Sequence, residues 1–219
     1  MGKQFIAVAG NIGAGKSTLV TRLSQRLRWK PYFEPVAENP YLADFYADMK
    51  RWAFESQVFF LSYRMQSHNE LLRVPSSVVQ DRSVYEDAEI FATNLYNQGN
   101  ISERDFKTYR NLYELFVALL DPPDLLIYLR VPVDVLMERI KTRGREFESG
   151  ITTEYLLHLN DLYEKWIDSF TLCPILTVPA ARMDFASVDS LVEVIAGEVR
   201  RITDGKQRVL FELEDLDWS

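Results

Sequence analysis

The sequence predicts an α/β protein in which helices cover a parallel sheet, and three observations predict it. Short apolar runs recur at Phe5 to Ala9, Ser77 to Val79, Leu125 to Leu129 and Ile175 to Val178. Long stretches of helical periodicity separate them, which is the rhythm of strand, crossover helix and parallel strand. The stretch Gly10-Asn11-Ile12-Gly13-Ala14-Gly15-Lys16-Ser17 is a glycine-rich turn that leaves the first strand and opens the first helix.

Each element has a local reason. Phe5 to Ala9 is apolar at every position, as a strand covered on both faces should be. A helix over about Lys16 to Leu27 places Leu19, Val20, Leu23 and Leu27 on one face. A short strand is expected near Tyr32-Phe33, just before Glu34-Pro35. One long helix is expected from Leu42 to Leu72, then the strand Ser77 to Val79 and a helix from Val84 to Asn97. Ser102 with Asp105 forms an N-cap and acidic third position for a helix from Glu103 to Leu120. Asp121-Pro122-Pro123-Asp124 stops that helix and launches the strand at Leu125. Helices follow at Val133 to Thr142, at Thr153 to Phe170 behind a Thr152 or Thr153 cap, and at Ser187 to Ile202. Beyond Asp204, Leu210-Phe211-Glu212-Leu213 fits an extra strand or a loosely held tail equally well. No repeat, low-complexity tract or linker interrupts the chain, so residues 1–219 are expected to form one domain.

A length of 219 residues with 47% hydrophobic content supports a substantial core. The net charge of -7 argues against nucleic acid as a partner, since such binders display a basic surface. Cys173 is the only cysteine, which excludes an intrachain disulfide and makes a reducing cytoplasm the expected location. The first strand begins within a few residues of Met1, so no signal or transit peptide is expected. Ile6 stands where a myristoylation signal needs Ser or Thr. No apolar run approaches a membrane span, and no membrane partner is expected.

The glycine-rich turn fills every fixed position of G-x-x-x-x-G-K-[ST], with a strand before it and a helix after it. Glycines let successive backbone N–H groups point inward, and the new helix adds its positive end, so Gly10, Asn11, Ile12, Gly13, Ala14, Gly15, Lys16, Ser17 and Thr18 make a cradle for phosphates. Lys16 would reach the outer phosphates of a nucleoside triphosphate such as ATP, and the Ser17 hydroxyl would ligate its Mg²⁺. Transfer of a phosphoryl group then needs a second acidic site, further cations and a carboxylate near the acceptor. Asp81-Arg82-Ser83 follows an apolar run, so it emerges where open α/β sheets bind ligands. Asp81 suits the metal side and Arg82 an anion clamp. Glu34, just past the second strand, is the general-base candidate; an ordinary glutamate titrates near about 4.3 and is ionised at neutral pH. Arg139, Arg143 and Arg145 surround Gly144 at a helix end. That pattern satisfies a helix dipole, and it equally suits a lid over about residues 139–150.

On the long helix, Phe54, Gln57, Leu61 and Arg64 follow three- and four-residue spacing. A buried face carries Gln and Arg only where it lines a pocket for a planar polar ligand; otherwise that face is partly exposed. Asp87 and Phe91, one turn apart on the next helix, offer an acidic partner for Arg64 and a ring for stacking.

Gly-Asn-Ile-Gly-Ala-Gly-Lys-Ser, Phe33-Glu34-Pro35-Val36, Gln57, Asp81-Arg82-Ser83-Val84-Tyr85-Glu86-Asp87 and Arg143-Gly144-Arg145 together resemble the deoxynucleoside kinase family. The resemblance spans almost the whole chain. It implies a P-loop NTPase fold with a five-stranded parallel sheet and an arginine-bearing lid. It also implies transfer of the ATP γ-phosphate, with Mg²⁺, to the 5′-hydroxyl of a deoxyribonucleoside, a step of nucleotide salvage. Carried over by position, Glu34 resembles the base that accepts the hydroxyl proton, with Arg82 beside the reacting phosphate and Lys16 on the donor. Gln57 would hydrogen-bond the nucleobase. Tyr46 and Glu148 would hold the sugar 3′-hydroxyl, Trp52, Phe91 and Tyr155 the nucleoside pocket or its rim, and Arg139, Arg143 and Arg145 the donor phosphates. The Arg64 and Asp87 pair resembles deoxycytidine- and deoxyguanosine-type members rather than thymidine-preferring ones. Glu38-Asn39-Pro40-Tyr41-Leu42 and the use of Asp81 look more like bacterial purine deoxynucleoside kinases. Deoxyadenosine or deoxyguanosine is therefore the implied acceptor, with deoxycytidine a further one. Aspartate at 81 is one methylene shorter than the glutamate of many animal members, which leaves open a water between it and Mg²⁺. The resemblance also implies a homodimer, for which Val58 to Tyr63 and Tyr109 to Phe116 are candidate surfaces.

Two other readings stay open on the sequence. A thymidylate-kinase-like monophosphate kinase would need a cationic acceptor site, where Glu34 would repel the substrate. A non-catalytic nucleotide-binding regulator would leave the lid arginines and the polar row of the long helix without a purpose.

Overall fold

The computed structural model describes residues 2–33, 39–183, 185, 188–205 and 211–212. Its elements run β1 (Phe5–Ala9), α1 (Lys16–Leu27), β2 (Lys30–Tyr32), α2 (Leu42–Ala47), α3 (Met49–Arg73), β3 (Val78–Asp81), α4 (Val84–Glu86), a π-helical turn (Asp87–Ala92), α5 (Thr93–Asn97), α6 (Glu103–Val117), β4 (Leu125–Arg130), α7 (Val133–Arg143), a 3₁₀ turn (Glu146–Glu148), α8 (Thr153–Ser169), β5 (Ile175–Pro179), α9 (Asp189–Gly205) and β6 (Phe211–Glu212). The strands form one parallel sheet in the order β2-β3-β1-β4-β5-β6. The five expected strands are all present, and the undecided C-terminal segment adds a two-residue sixth at the edge, pairing Leu176 with Phe211.

Position in the sheet explains composition. All five residues of β1 are buried, because β3 and β4 flank it and helices cover both faces. The register sets Val8 against Asp81 and Ala9 against Tyr128, so the turn after β1 opens beside the end of β3. Strand β3 runs two residues past the expected Val79 and carries Asp81 at its last position. Strand β2 ends at Tyr32, one residue earlier than expected.

The single helix expected from Leu42 to Leu72 is two helices. Asp48, at φ -144°, leaves the helical region, and its carboxylate accepts from the Arg51 N–H at 3.1 Å, starting α3 afresh. Helical spacing does not register such a break because the apolar residues resume in phase. The stretch expected as one helix over Val84 to Asn97 contains the π-helical turn, where the Thr93 hydroxyl donates to the Ala88 carbonyl at 2.8 Å. The caps match expectation: Ser102 accepts from the Asp105 N–H and Thr152 from the Tyr155 N–H. The main core joins the sheet to α1, α8 and α9, and a smaller apolar cluster of Leu42, Phe45, Ala53, Leu95 and Ile101 ties α2 to α3 and α5.

Candidate active site

The turn after β1 takes its shape from positions only glycine tolerates. Gly10 sits at φ 147° and Gly13 at φ 83°; a Cβ would come within 3.0 Å of the Leu129 carbonyl at the first and 3.1 Å of the Leu136 carbonyl at the second. Lys16 is buried, and its Nζ donates to the Gly10 and Asn11 carbonyls at 2.8 and 2.9 Å. Asn11 pins the loop to α8 by donating to Asn160 Oδ1 at 2.6 Å and to the Leu156 carbonyl at 3.1 Å.

At the next turn, the Ser17 hydroxyl donates to Asp81 Oδ2 at 2.5 Å. Asp81 Oδ1 is buried without a hydrogen-bond partner among the described residues. An alcohol oxygen beside a carboxylate with an unused buried lone pair fits a hard, oxygen-seeking cation such as Mg²⁺. No cluster of three or more His, Cys, Asp or Glu side chains that could hold a metal ion occurs among the described residues.

Arg82 follows at φ 64°, the left-handed region that a long side chain seldom occupies. Its guanidinium lies 4.3 Å over the Phe91 ring and donates to the Tyr163 hydroxyl at 3.1 Å. Tyr163 also contacts Glu86 Oε1 at 2.8 Å and the Gly10 carbonyl at 2.9 Å. Burial pushes the Tyr163 phenol well above its usual range, with Arg82 pulling the other way and Glu86 adding to the rise. The hydroxyl therefore keeps its proton at neutral pH.

Helix α3 faces this wall with Gln57, Leu61 and Arg64 all buried and Phe54 half-buried. Arg64 Nε donates to Asp87 Oδ2 at 3.0 Å, and its Nη1 reaches the Asp81 and Arg82 carbonyls, both at 3.1 Å. Gln57 Oε1 is buried with no donor among the described residues. Tyr155 is buried in the main core, its phenol pushed up to about 12 chiefly by burial, and does not lie at a rim. Trp52 stacks on Tyr41 and packs against the smaller cluster.

The segment around Gly144 brings the remaining residues together. Arg143 Nη2 donates to Glu148 at 2.7 Å and Arg145 Nη1 at 3.4 Å, and Glu148 is buried. Tyr46 lies next to this segment, its carbonyl 4.0 Å from where a Cβ on Gly150 would fall. Arg139 ties the loop after β5 to the cradle, donating to the carbonyls of Ala180, Ala181 and Met183 and, at 3.3 Å, of Ala14. A cavity of about 220 Å³ opens there, lined by Gly13, Gly15, Thr18, Arg139, Arg143, Met183 and Phe185. Glu34 lies outside the described residues.

Sequence reasoning left out Glu86, Tyr163, Asn160, Met183 and Phe185. The Ser83-x-x-Glu86 spacing is a capping box and was a legible signal for Glu86. A tyrosine at a core position of a helix carries none.

A phosphate cradle beside an acid-alcohol pair, on a parallel sheet, defines a P-loop phosphotransferase. Residues 6–204 match the family described as Deoxynucleoside kinase. The chain is 37% identical over 206 residues to the deoxyadenosine/deoxycytidine kinase of Bacillus subtilis, covering 93% of this chain and 95% of that one. It is 34% identical over 206 residues to the deoxyguanosine kinase of the same organism, covering 90% and 97%. The solved structure of deoxyadenosine kinase from M. mycoides with bound dATP superposes with a TM-score of 0.80 at 33% identity, covering 90% of this chain and 99% of that one. The chain belongs to the deoxynucleoside kinase family and is an ATP-dependent phosphotransferase acting on deoxynucleosides. Among the described residues no helix is long and apolar enough to cross a membrane.

Proposed function

We propose that the acceptor is a purine deoxyribonucleoside, deoxyadenosine or deoxyguanosine, with deoxycytidine as a further substrate, in nucleotide salvage. The observation that carries this reading is the buried polar wall of Gln57, Arg64 and Asp87, in which Gln57 Oε1 has no donor among the described residues. A buried carboxamide oxygen left open suits the exocyclic amine of a base, and the fixed guanidinium-carboxylate pair frames that base. The names of the similar kinases point the same way.

In this reading the Gly10 to Thr18 loop and Lys16 hold the donor phosphates, and Arg143 and Arg145 close on them from a lid over residues 139–150. Ser17 and Asp81 would hold Mg²⁺, which screens phosphate charge as it moves to the leaving oxygen. Glu34 takes the proton of the 5′-hydroxyl, Arg82 neutralises the transferring group, and Tyr46 and Glu148 fix the sugar. Arg139 is bound to four carbonyls, so it supports the loop after β5 and contributes its charge at the cavity edge rather than reaching across it.

A homodimer and a cytoplasmic location complete the proposal. Tyr109 and Tyr113 are buried, so the surface expected over Tyr109 to Phe116 shifts to Leu112, Leu115 and, just past the helix, Leu119, which are 36%, 58% and 73% exposed. A second copy of the chain would cover that surface.

Steady-state kinetics with Mg-ATP against the four common deoxynucleosides and two deoxynucleoside monophosphates test the reading. A specificity constant for a purine deoxynucleoside at least tenfold above that for thymidine is expected. Activity confined to monophosphates, or a preference for thymidine, would overturn it.

A further inference from the structure

Glu86 and Tyr163 touch both ends of the catalytic wall without belonging to any expected binding set. Both are fully buried. Glu86 Oε1 accepts from the Gly10 N–H at 3.3 Å, and Oε2 accepts from the Ser83 N–H at 2.8 Å. The same carboxylate stands 3.9 Å from Arg82. Tyr163 meets the other side of Gly10, its carbonyl, at 2.9 Å. That carbonyl is also where Lys16 Nζ donates. One glycine therefore has its N–H on Glu86 and its C=O shared between Tyr163 and Lys16, while the same Tyr163 oxygen accepts from Arg82.

The proton count gives this arrangement its character. The Tyr163 hydroxyl has one hydrogen and two acceptors, the Gly10 carbonyl and Glu86 Oε1. Whichever one it serves, its oxygen remains an acceptor for Arg82. A hydroxyl with alternative acceptors can follow a change in the Lys16 bond to Gly10 without releasing Arg82. A phenylalanine would pack equally well and could do none of this. Arg82, at φ 64°, needs such support, because an unusual backbone conformation persists only where the surroundings determine it.

The geometry points to Glu86 and Tyr163 as a positioning pair that couples the Arg82 guanidinium to the start of the phosphate cradle, so that clamp and cradle move as one unit during phosphoryl transfer. The pair acts through Arg82 and Gly10 and needs no contact with substrate. Its purpose is registry: a phosphoryl acceptor and donor misaligned by about 1 Å lose about 10²-fold in rate. The inference rests on reading Arg82 as the clamp of the transferring phosphate.

The test is a double-mutant cycle on the full chain with Mg-ATP and its preferred deoxynucleoside, using Tyr163→Phe, Arg82→Lys and the two combined. Tyr163→Phe is expected to lower kcat by about 10- to 100-fold with both KM values within about twofold of wild type. The double variant is expected to be little worse than Arg82→Lys alone, because the hydroxyl acts through that guanidinium. A Tyr163→Phe enzyme with wild-type kcat, a loss confined to KM, or losses that multiply would overturn the pair. An Arg82→Lys enzyme with full activity would instead overturn the clamp reading on which it rests. Should Tyr163→Phe fail to fold, Glu86→Gln taken through the same cycle makes the same distinction: a kcat loss that Arg82→Lys absorbs is expected, and an independent loss would overturn the pair.

Discussion

The Ser17 hydroxyl donates to Asp81 at 2.5 Å, and that bond leaves the second Asp81 oxygen buried with no donor among the described residues. An unsatisfied buried carboxylate oxygen is costly unless something else meets it, and the Mg²⁺ proposed to be held by Ser17 and Asp81 would do so. Asp81→Asn keeps an acceptor for Ser17 and removes the charge. Its kcat should fall about 10²-fold, and the Mg²⁺ concentration for half-maximal rate should rise. A Mg²⁺ titration of both enzymes checks this; an unchanged midpoint would remove Asp81 from the metal site.

Gln57 and Asp87 line the same wall but differ in what the fold asks of them. Asp87 is held by Arg64 with both side chains almost wholly buried, so Asp87→Ala strands a charge and should cost about 3–5 kcal/mol of stability. Gln57→Leu removes an oxygen that bonds nothing among the described residues. It should leave the melting temperature near wild type, lower kcat/KM for purine deoxynucleosides about tenfold, and leave the KM for ATP alone. Thermal melts beside the kinetics separate the two; a large melting loss in Gln57→Leu would mean that its role is structural.

Much of this site was legible because it lies on elements whose boundaries are written in the sequence. The cradle needs glycines at positive φ, and Gly10, Gly13 and Gly15 supply them at the junction of an apolar run and a helix. Gln57 and Arg64 were visible as polar residues on a core-facing row. What was hidden depends on pairing between distant segments. Nothing local says that three of the carbonyls bound by Arg139 lie about 40 residues on, or that a tyrosine of α8 touches Gly10. The break at Asp48 was hidden for the opposite reason, since its cap is local but the apolar phase resumes beyond it.

Glu34 is the residue on which the proton-transfer reading turns. Glu34→Gln keeps the shape and removes the base. General-base contributions are about 10²- to 10⁴-fold, so kcat should fall in that range while ATP affinity holds. Turnover near wild type would assign the proton elsewhere.

His68 gives the fold a pH dependence unrelated to catalysis. It is buried edge-on against Phe5 at 5.3 Å, and burial holds its imidazole below the usual range, with Asp121 opposing. The unfolded chain takes up this proton near pH 6.5 and the folded chain only at lower pH, so the unfolded state binds more protons in between. Stability is therefore full above about pH 6.5 and is lost as pH falls below it. His68→Phe should flatten that limb in urea melts across pH 5 to 8. An unchanged slope would assign the acid sensitivity to other groups.

Glu148 binds the same two arginines that the donor phosphates are proposed to use. Arg143 holds it through Nε at 3.1 Å and through Nη2 at 2.7 Å, and Arg143 also lines the cavity beside Gly13 and Thr18. On the proposed roles, phosphate and carboxylate would compete for one guanidinium, and Glu148 would be released toward the sugar as the arginines turn to the donor. Because Arg143 and Arg145 are partly exposed, the ion pairs are worth only about 1 kcal/mol, which limits the effect to a few-fold. Glu148→Gln should lower the KM for ATP by about two- to fivefold and raise the KM for the deoxynucleoside. Added salt should shrink the first change by screening the wild-type pair. If the ATP constant stays fixed while only the deoxynucleoside constant moves, the lid arginines are not shared between the two substrates.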